Sequence, residues 1–159
     1  MGAADEQYLA LEPDPKHATA LFKLFGLERG KAATTPRVRK TAEQAEADSR
    51  TAVLSAQSQT LFRSATLRLA YVGQDRPDLS EAIKHLTTRM SQPRESDLVE
   101  LKRLVRYLVK SGRTVLRYPW QMEEEQPDTY SDSDWAGCKK TGRSTSGGAV
   151  VMGEHYMKG

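Results

Sequence analysis

The feature that most constrains the fold of this chain is a change in the spacing of its apolar residues near residue 112. Between residues 59 and 111, apolar side chains recur every three to four positions, which is the repeat of an amphipathic helix. From residue 114 onward they stand in short strand-like runs bounded by glycine and proline. The sequence therefore predicts an α+β chain in which a helical region precedes a β-region.

The helical region contains three separate apolar stripes. They are interrupted at Gly73, Pro93 and Gly112, and both residue types commonly end helices. Because the joints between the stripes are short, residues 59–111 are predicted to form a small three-helix bundle. The stripes are Phe62, Ala65, Leu69 and Val72; Leu79, Ile83, Leu86 and Met90; and Leu98, Leu101, Val105 and Leu108.

The β-region, residues 112–159, is predicted to begin an antiparallel sheet. Segments 114–118, 129–135 and 145–151 are the candidate strands, and Gly153 marks a turn before a short apolar segment at 155–157. The sheet is expected to be incomplete, because the remaining residues supply no further strands. An incomplete sheet has unpaired edges, so self-association through them is expected.

Residues 1–58 are predicted to contain one helix and a linker. Asp14 can cap a helix, Pro15 fits its first position and Gly26 its end, which predicts a helix over 14–26. Residues 31–58 are polar and contain few large apolar side chains, which predicts a mobile connection with at most one weakly helical stretch.

One helix of the bundle is strongly basic. Residues 94–118 contain seven Lys and Arg against three Asp and Glu. Lys102, Arg106 and Lys110 follow one another at steps of four and share one helix face, beside Arg103. Such a row can follow a phosphate backbone, so these four residues are candidate contacts to nucleic acid. An ordinary solvated face is the alternative.

An acidic stretch follows the basic helix. Residues 121–134 include six Asp and Glu and no basic residue. On a strand, Asp132 and Asp134 share one face, and paired carboxylates are candidate ligands for a hard cation such as Mg²⁺. A polar strand at the surface is the alternative. Zinc is not expected, because the three histidines lie far apart and show no ligand spacing with Cys138.

Several classes of protein are excluded by composition. No apolar run is long enough to span a membrane, and no secretory signal opens the chain, so no membrane partner is expected. A single cysteine suits a reducing compartment. We therefore expect an intracellular protein, cytoplasmic or nuclear.

Several short motifs resemble the Pol polyproteins of copia-type retrotransposons. The motif DSDWAGC at 132–138, followed by RSTSG at 143–147, resembles the opening of the ribonuclease H domain in that family. Further motifs match in the same order upstream: FGL at 25–27, TTP at 34–36, FRS at 62–64, RPDL at 76–79, MSQP at 90–93 and LKRLVRYL at 101–108.

This resemblance implies a position within the polyprotein. Residues 1–58 would be the end of the reverse transcriptase palm and a linker, 59–111 a thumb- or connection-like bundle, and 112–159 a truncated start of a ribonuclease H-like fold. Asp132 would correspond to the first metal-binding Asp of ribonuclease H, with Asp134 as the alternative. The polymerase metal site and the later ribonuclease H carboxylates are absent, so the catalytic site is incomplete. The parent enzyme uses Mg²⁺, and this chain is not expected to hold it tightly.

The implied function is that of a fragment of a reverse transcriptase and ribonuclease H polyprotein. Its expected partner is the backbone of an RNA–DNA hybrid or a DNA duplex, and it is expected to be catalytically inert alone. The alternative is a domesticated module that binds nucleic acid or protein and has no enzymatic activity.

Overall fold

The computed structural model describes residues 7–28, 30–111, 113–122, 126–134, 142 and 144–158. These residues form an α+β structure, which confirms the predicted class. The helices are α1 (Pro15–Phe25), α2 (Ala42–Ser49), α3 (Ala56–Gly73), α4 (Ser80–Thr87) and α5 (Glu95–Lys110). The strands are β1 (Tyr8–Leu11), β2 (Leu116–Pro119), β3 (Asp128–Asp134), β4 (Thr145–Met152) and β5 (His155–Lys158).

The chain divides into two compact units. Residues 12–115 form the first, called the helical unit below, which contains all five helices. The strand unit combines the described residues up to 11 with those from 116 onward. None of the described helices is both long enough and apolar enough to cross a membrane.

The three predicted stripes form the core of the helical unit. Phe62 and Leu69 of α3 are fully buried together with Leu101 and Leu108 of α5, so the predicted three-helix bundle is confirmed. Helix α1 packs against α3 and α5 and adds Leu21 to the same core. Each large aliphatic side chain buried in this way stabilises the fold by about 1.5–3 kcal/mol.

Local sequence signals place the ends of α1. The Asp14 side chain accepts a hydrogen bond of 2.9 Å from the backbone N–H of Lys16, and Pro15 occupies the first helical position. Gly26 ends the helix with a φ of +61°, a left-handed conformation that glycine adopts without a steric penalty. Both ends agree with the prediction.

The second predicted stripe differs from the structure at both ends. Residues Pro77–Leu79 form a 3₁₀ turn before α4 begins, and α4 ends at Thr87 rather than near Pro93. The hydroxyl of Thr87 donates to the backbone carbonyl of Lys84, and that of Thr88 to His85, and such local bonds compete with helix propagation. Met90 consequently lies beyond the helix and is only partly buried against the core.

The connection after α1 contains an additional helix. Thr41 and Gln44 form a capping box at the start of α2: the Thr41 hydroxyl accepts from the Gln44 backbone, and the Gln44 side chain accepts from the Thr41 backbone. Helix α2 buries none of its residues. The connection then places Leu54 in the core, where its backbone N–H donates to the carbonyl of Pro93 at 3.0 Å.

The strand unit contains two small antiparallel sheets. One pairs β1 with β2, and the other has the order β3-β4-β5, with a turn at Gly153 between its last two strands. Strands β3 and β4 agree with the predicted segments within one residue at each end, although Trp135 lies outside the described residues. Strand β2 begins at Leu116, two residues later than predicted. No residue of this unit that the structure describes is buried. Two small sheets do not identify a ribonuclease H-like fold, which stays a prediction.

Candidate nucleic-acid interface

The four basic residues of α5 lie on the side of the helix that faces away from the core. The buried side is formed by Asp97, Leu101, Leu104, Val105 and Leu108. Helical geometry places Lys102, Arg103, Arg106 and Lys110 outside that arc, so the four residues form a basic face. The two lysines are exposed, whereas Arg103 and Arg106 are partly buried.

Partial burial of the two arginines is caused by residues 30–40, called the strap below. The backbone N–H of Ala33 donates to the carbonyl of Arg106 at 3.3 Å. Further along, the hydroxyl of Thr35 accepts a hydrogen bond of 2.9 Å from Nη2 of Arg103. Because later strap residues meet earlier residues of α5, the strap runs antiparallel to the helix and covers part of its basic face.

The side chains of Arg103 and Arg106 retain unused donors beneath the strap. The Nε atom of each is shielded from solvent and has no hydrogen-bond partner among the described residues. Leaving a buried donor unpaired costs about 1–3 kcal/mol. Each guanidinium group therefore has one shielded donor, its Nε–H, that an added hydrogen-bond acceptor would stabilise.

An ionic cluster fastens the far end of the strap. Nζ of Lys40 contacts the carboxylates of Asp48 and Glu100, and Nε2 of His85 lies 2.9 Å from the second oxygen of Glu100. Burial acts to raise the pKa of Glu100, but hydrogen bonds from His85 and Lys40 outweigh it and lower the pKa to about 2. Burial likewise acts to lower the pKa of Lys40, and its two carboxylate partners leave that pKa raised.

The two candidate metal-binding aspartates lie on β3. Asp132 is exposed and pairs with Gly147 of β4, while Asp134 pairs with Thr145 at the end of the strand. The backbone positions of Asp132 and Asp134 put them on one face of β3, as predicted, but the side chain of Asp134 is outside the part of the chain that the structure describes. Among the described residues, no three His, Cys, Asp or Glu side chains form a group that could hold a metal ion. The described carboxylates thus do not fit a two-metal site.

The motif RPDL encloses a buried arginine whose role the sequence did not reveal. The Arg76 side chain is 1% exposed, and its Nε and Nη2 each lie 2.8 Å from an oxygen of Asp78. Its Nη1 donates to the carbonyl of Ser111, just beyond α5, at 2.7 Å. The Tyr107 hydroxyl lies 3.0 Å from the same carboxylate. In the sequence, the only local indication of this ion pair is that Arg76 and Asp78 are separated by a single residue, Pro77.

The motif FRS has a comparable structural role. Nε of Arg63 donates to the carbonyl of Met90 at 2.8 Å, and Nη2 to that of Ser91 at 3.1 Å. These bonds tie α3 to the turn that follows α4. Arginines in both motifs thus donate hydrogen bonds to backbone carbonyls.

Comparison with known proteins finds relatives of this chain among transposon polyproteins. No family model matches it, and no solved structure does. It is 35% identical over 105 residues to the Retrovirus-related Pol polyprotein from transposon RE1 of Arabidopsis thaliana. The aligned region covers 60% of this chain and 6% of that protein. The corresponding polyprotein from transposon RE2 is 33% identical over 105 residues, with the same coverage.

A third relative from Arabidopsis thaliana is the uncharacterized mitochondrial protein AtMg00810. It is 38% identical over 92 residues, which cover 58% of this chain and 38% of the relative. The matched part of this chain thus spans well under half the length of each of these relatives. The chain is a homologue of the retrovirus-related Pol polyproteins of copia-type transposons, as its motifs predicted.

Proposed function

We propose that this chain is a fragment of a reverse transcriptase and ribonuclease H polyprotein that binds the phosphate backbone of an RNA–DNA hybrid or a DNA duplex through the basic face of α5. The observation that supports this proposal is the absence of ion pairs at these four residues. None of its four basic residues forms an ion pair with another described residue.

Only some of the basic residues elsewhere in the helical unit differ in this respect. Several are neutralised by carboxylates: Arg37 by Glu81, Lys40 by Asp48 and Glu100, Arg50 by Glu46, Arg76 by Asp78, and Arg113 by Glu12. Four unpaired cations on one helix face repel one another. A phosphate backbone relieves that repulsion and releases its own condensed counterions, which favours binding at low salt.

Removing the two exposed lysines is expected to weaken binding and reduce its dependence on salt. Each phosphate contact contributes about −0.9 to the slope of log affinity against log salt concentration, so the double variant Lys102→Gln/Lys110→Gln should lose nearly two units of slope. Fluorescence anisotropy with a labelled RNA–DNA hybrid, titrated at several salt concentrations, measures both quantities.

The matched control changes two exposed basic residues on other helices, as Lys23→Gln/Arg68→Gln. Its slope should stay close to that of the unaltered chain. The proposal is contradicted if the unaltered chain has no affinity at low salt, or if both double variants lose the same slope.

The same proposal holds that the chain is catalytically inert alone. In the complete parent enzyme, Mg²⁺ would activate water and stabilise the leaving oxygen, and Asp132 would be one of its ligands. One or two carboxylates on a single exposed strand do not surround two cations. We expect the purified chain to show no Mg²⁺-dependent cleavage of a hybrid and no primer extension. Turnover that survives Asp132→Asn would point to a contaminating enzyme, whereas turnover abolished by it would overturn the proposal.

A further inference from the structure

The edge of the Arg103 guanidinium that meets the strap is only half satisfied. Its Nη2 donates to the Thr35 hydroxyl, whereas its Nε, on the same edge, has no partner among the described residues. Arg76 shows how such an edge is filled in this chain, since its Nε and Nη2 take both oxygens of one carboxylate. Relative to Arg76, Arg103 lacks one acceptor oxygen.

Arg106, one helical turn later, also has a donor that lacks an acceptor. Its Nε is also shielded and without a partner in the described part of the chain. Residues three apart on a helix are neighbours on its surface, so the two arginine side chains leave α5 next to each other. The backbone bond from Ala33 to the carbonyl of Arg106 holds the strap beside both of them.

The surroundings of these donors favour an external oxyanion over an internal carboxylate. The strap contains Lys31, Arg37, Arg39 and Lys40 and no acidic residue. Glu100, one turn before Arg103 on α5, is already held by Lys40 and His85. The Thr35 hydroxyl uses a lone pair to accept from Arg103, so its own hydrogen remains available for an oxygen acceptor.

We propose that Thr35, Arg103 and Arg106 form a seat for a single phosphate group, with the strap as one wall. This inference rests on the proposed function and locates one point of backbone contact within the basic face. Because the strap shields both Nε atoms from solvent, it must shift for a phosphate to enter. A tetrahedral phosphate then offers two oxygens to the Nε and Nη2 edge of Arg103 and others to Arg106 and the threonine hydroxyl. Lys102 and Lys110 contribute charge without fixing its position.

The seat is tested first with inorganic phosphate. Arginine Nε–H resonances of the full chain are followed by NMR during titration with phosphate against chloride at matched ionic strength. The signals of Arg103 and Arg106 should move together. Thr35→Val removes the hydroxyl and Arg103→Lys removes the planar fork but keeps the charge, and each should raise the phosphate concentration at the midpoint several-fold. Thr34→Val, at the adjacent exposed residue, should leave it unchanged.

Hybrid binding then separates this inference from the proposed function. If the seat takes a backbone phosphate, Thr35→Val and Arg103→Lys should each weaken hybrid binding about three- to tenfold, and inorganic phosphate should compete with the hybrid. If phosphate moves neither arginine signal, or if Thr35→Val and Thr34→Val titrate alike, the seat is overturned even where the hybrid binds. If phosphate moves both signals but the chain binds no hybrid, the seat stands and the proposed function falls.

Discussion

Replacing Arg76 with methionine is expected to lower the free energy of unfolding of the helical unit by about 3 kcal/mol, because Arg76 is buried whereas its partner Asp78 is exposed to solvent. The substitution keeps an unbranched side chain of similar length but removes all the donors. Asp78 would lose both bonds from the guanidinium, and the carbonyl of Ser111 would lose its donor beyond the end of α5. Most of the loss arises at the Ser111 carbonyl and in the space that the buried guanidinium leaves, because the exposed Asp78 carboxylate can be hydrated in its place.

Urea denaturation followed by circular dichroism measures this loss. Arg76→Lys keeps the charge but cannot hold both Asp78 oxygens and the Ser111 carbonyl at once, so an intermediate loss of about 2 kcal/mol is expected. Arg68→Met makes the same chemical change at an exposed position of α3 and should stay within about 0.5 kcal/mol of the unaltered chain. A loss of less than about 1 kcal/mol for Arg76→Met would show that the network is not a main support of the fold.

Asp78 provides a second check on the same network. The hydrogen bonds from Arg76 hold the pKa of its carboxyl below the usual value. Once Arg76→Met has removed the guanidinium, Asp78→Asn removes the carboxylate charge that the guanidinium had compensated. The double variant should therefore recover part of the lost stability, since removing both members of a pair costs less than removing one.

Features that depend on nearby residues were predictable from the sequence. The burial of Phe62, Leu69 and Leu101 follows from helical spacing, and the ends of α1 follow from Asp14 and Gly26. These signals lie within a few residues of the structure that they determine. Helix propensity, capping and apolar periodicity act between residues that are close in sequence, so they can be read from the sequence alone.

Features that depend on distant pairs were not predictable. Strand β1 is a short apolar run with all four residues exposed. Its partner β2 follows only at Leu116–Pro119, far along the sequence. Arg76 contacts Ser111, and the strap contacts α5, through pairings that no periodicity encodes. The polar composition of residues 31–58 predicted a mobile linker. In the structure, Leu54 of this segment is buried in the core, and Thr35 and Lys40 make polar contacts with α5.

The candidate interface shows the same division. Helical geometry was sufficient to put Lys102, Arg103, Arg106 and Lys110 on one face. It did not distinguish the exposed lysines from the strap-covered arginines, because that difference arises from Ala33 and Thr35, which are distant in sequence. The roles of these residues, like the metal-binding role of Asp132 and self-association through the sheet edges, stay predictions.

Acidification is expected to destabilise the helical unit through Glu100. Because its pKa in the folded chain is about 2, against an ordinary value of 4.5, the folded state favours the ionised carboxylate. The resulting stability is fully present above about pH 5 and is lost as the pH falls toward 2. The two pKa values correspond to a contribution on the order of 3 kcal/mol, since each pKa unit is worth about 1.4 kcal/mol.

Glu100→Gln isolates this contribution. The variant should be less stable than the unaltered chain at pH 7 by on the order of 2–3 kcal/mol, because Lys40 and His85 lose their shared carboxylate. The difference should shrink between pH 5 and 2, where the unaltered chain loses the same charge by protonation. Urea denaturation at several pH values gives both curves.

Glu95→Gln, an exposed change in the first turn of the same helix, serves as the control for loss of one carboxylate from α5. Its stability difference from the unaltered chain should be small and nearly constant over this pH range. If the pH curves of Glu100→Gln and of the unaltered chain stay parallel, the ion pairs of Glu100 do not stabilise the position of the strap. Curves that converge only for Glu100→Gln would show that the polar connection is held to the bundle by charge, which explains how a segment without an apolar stripe keeps a fixed place beside α5.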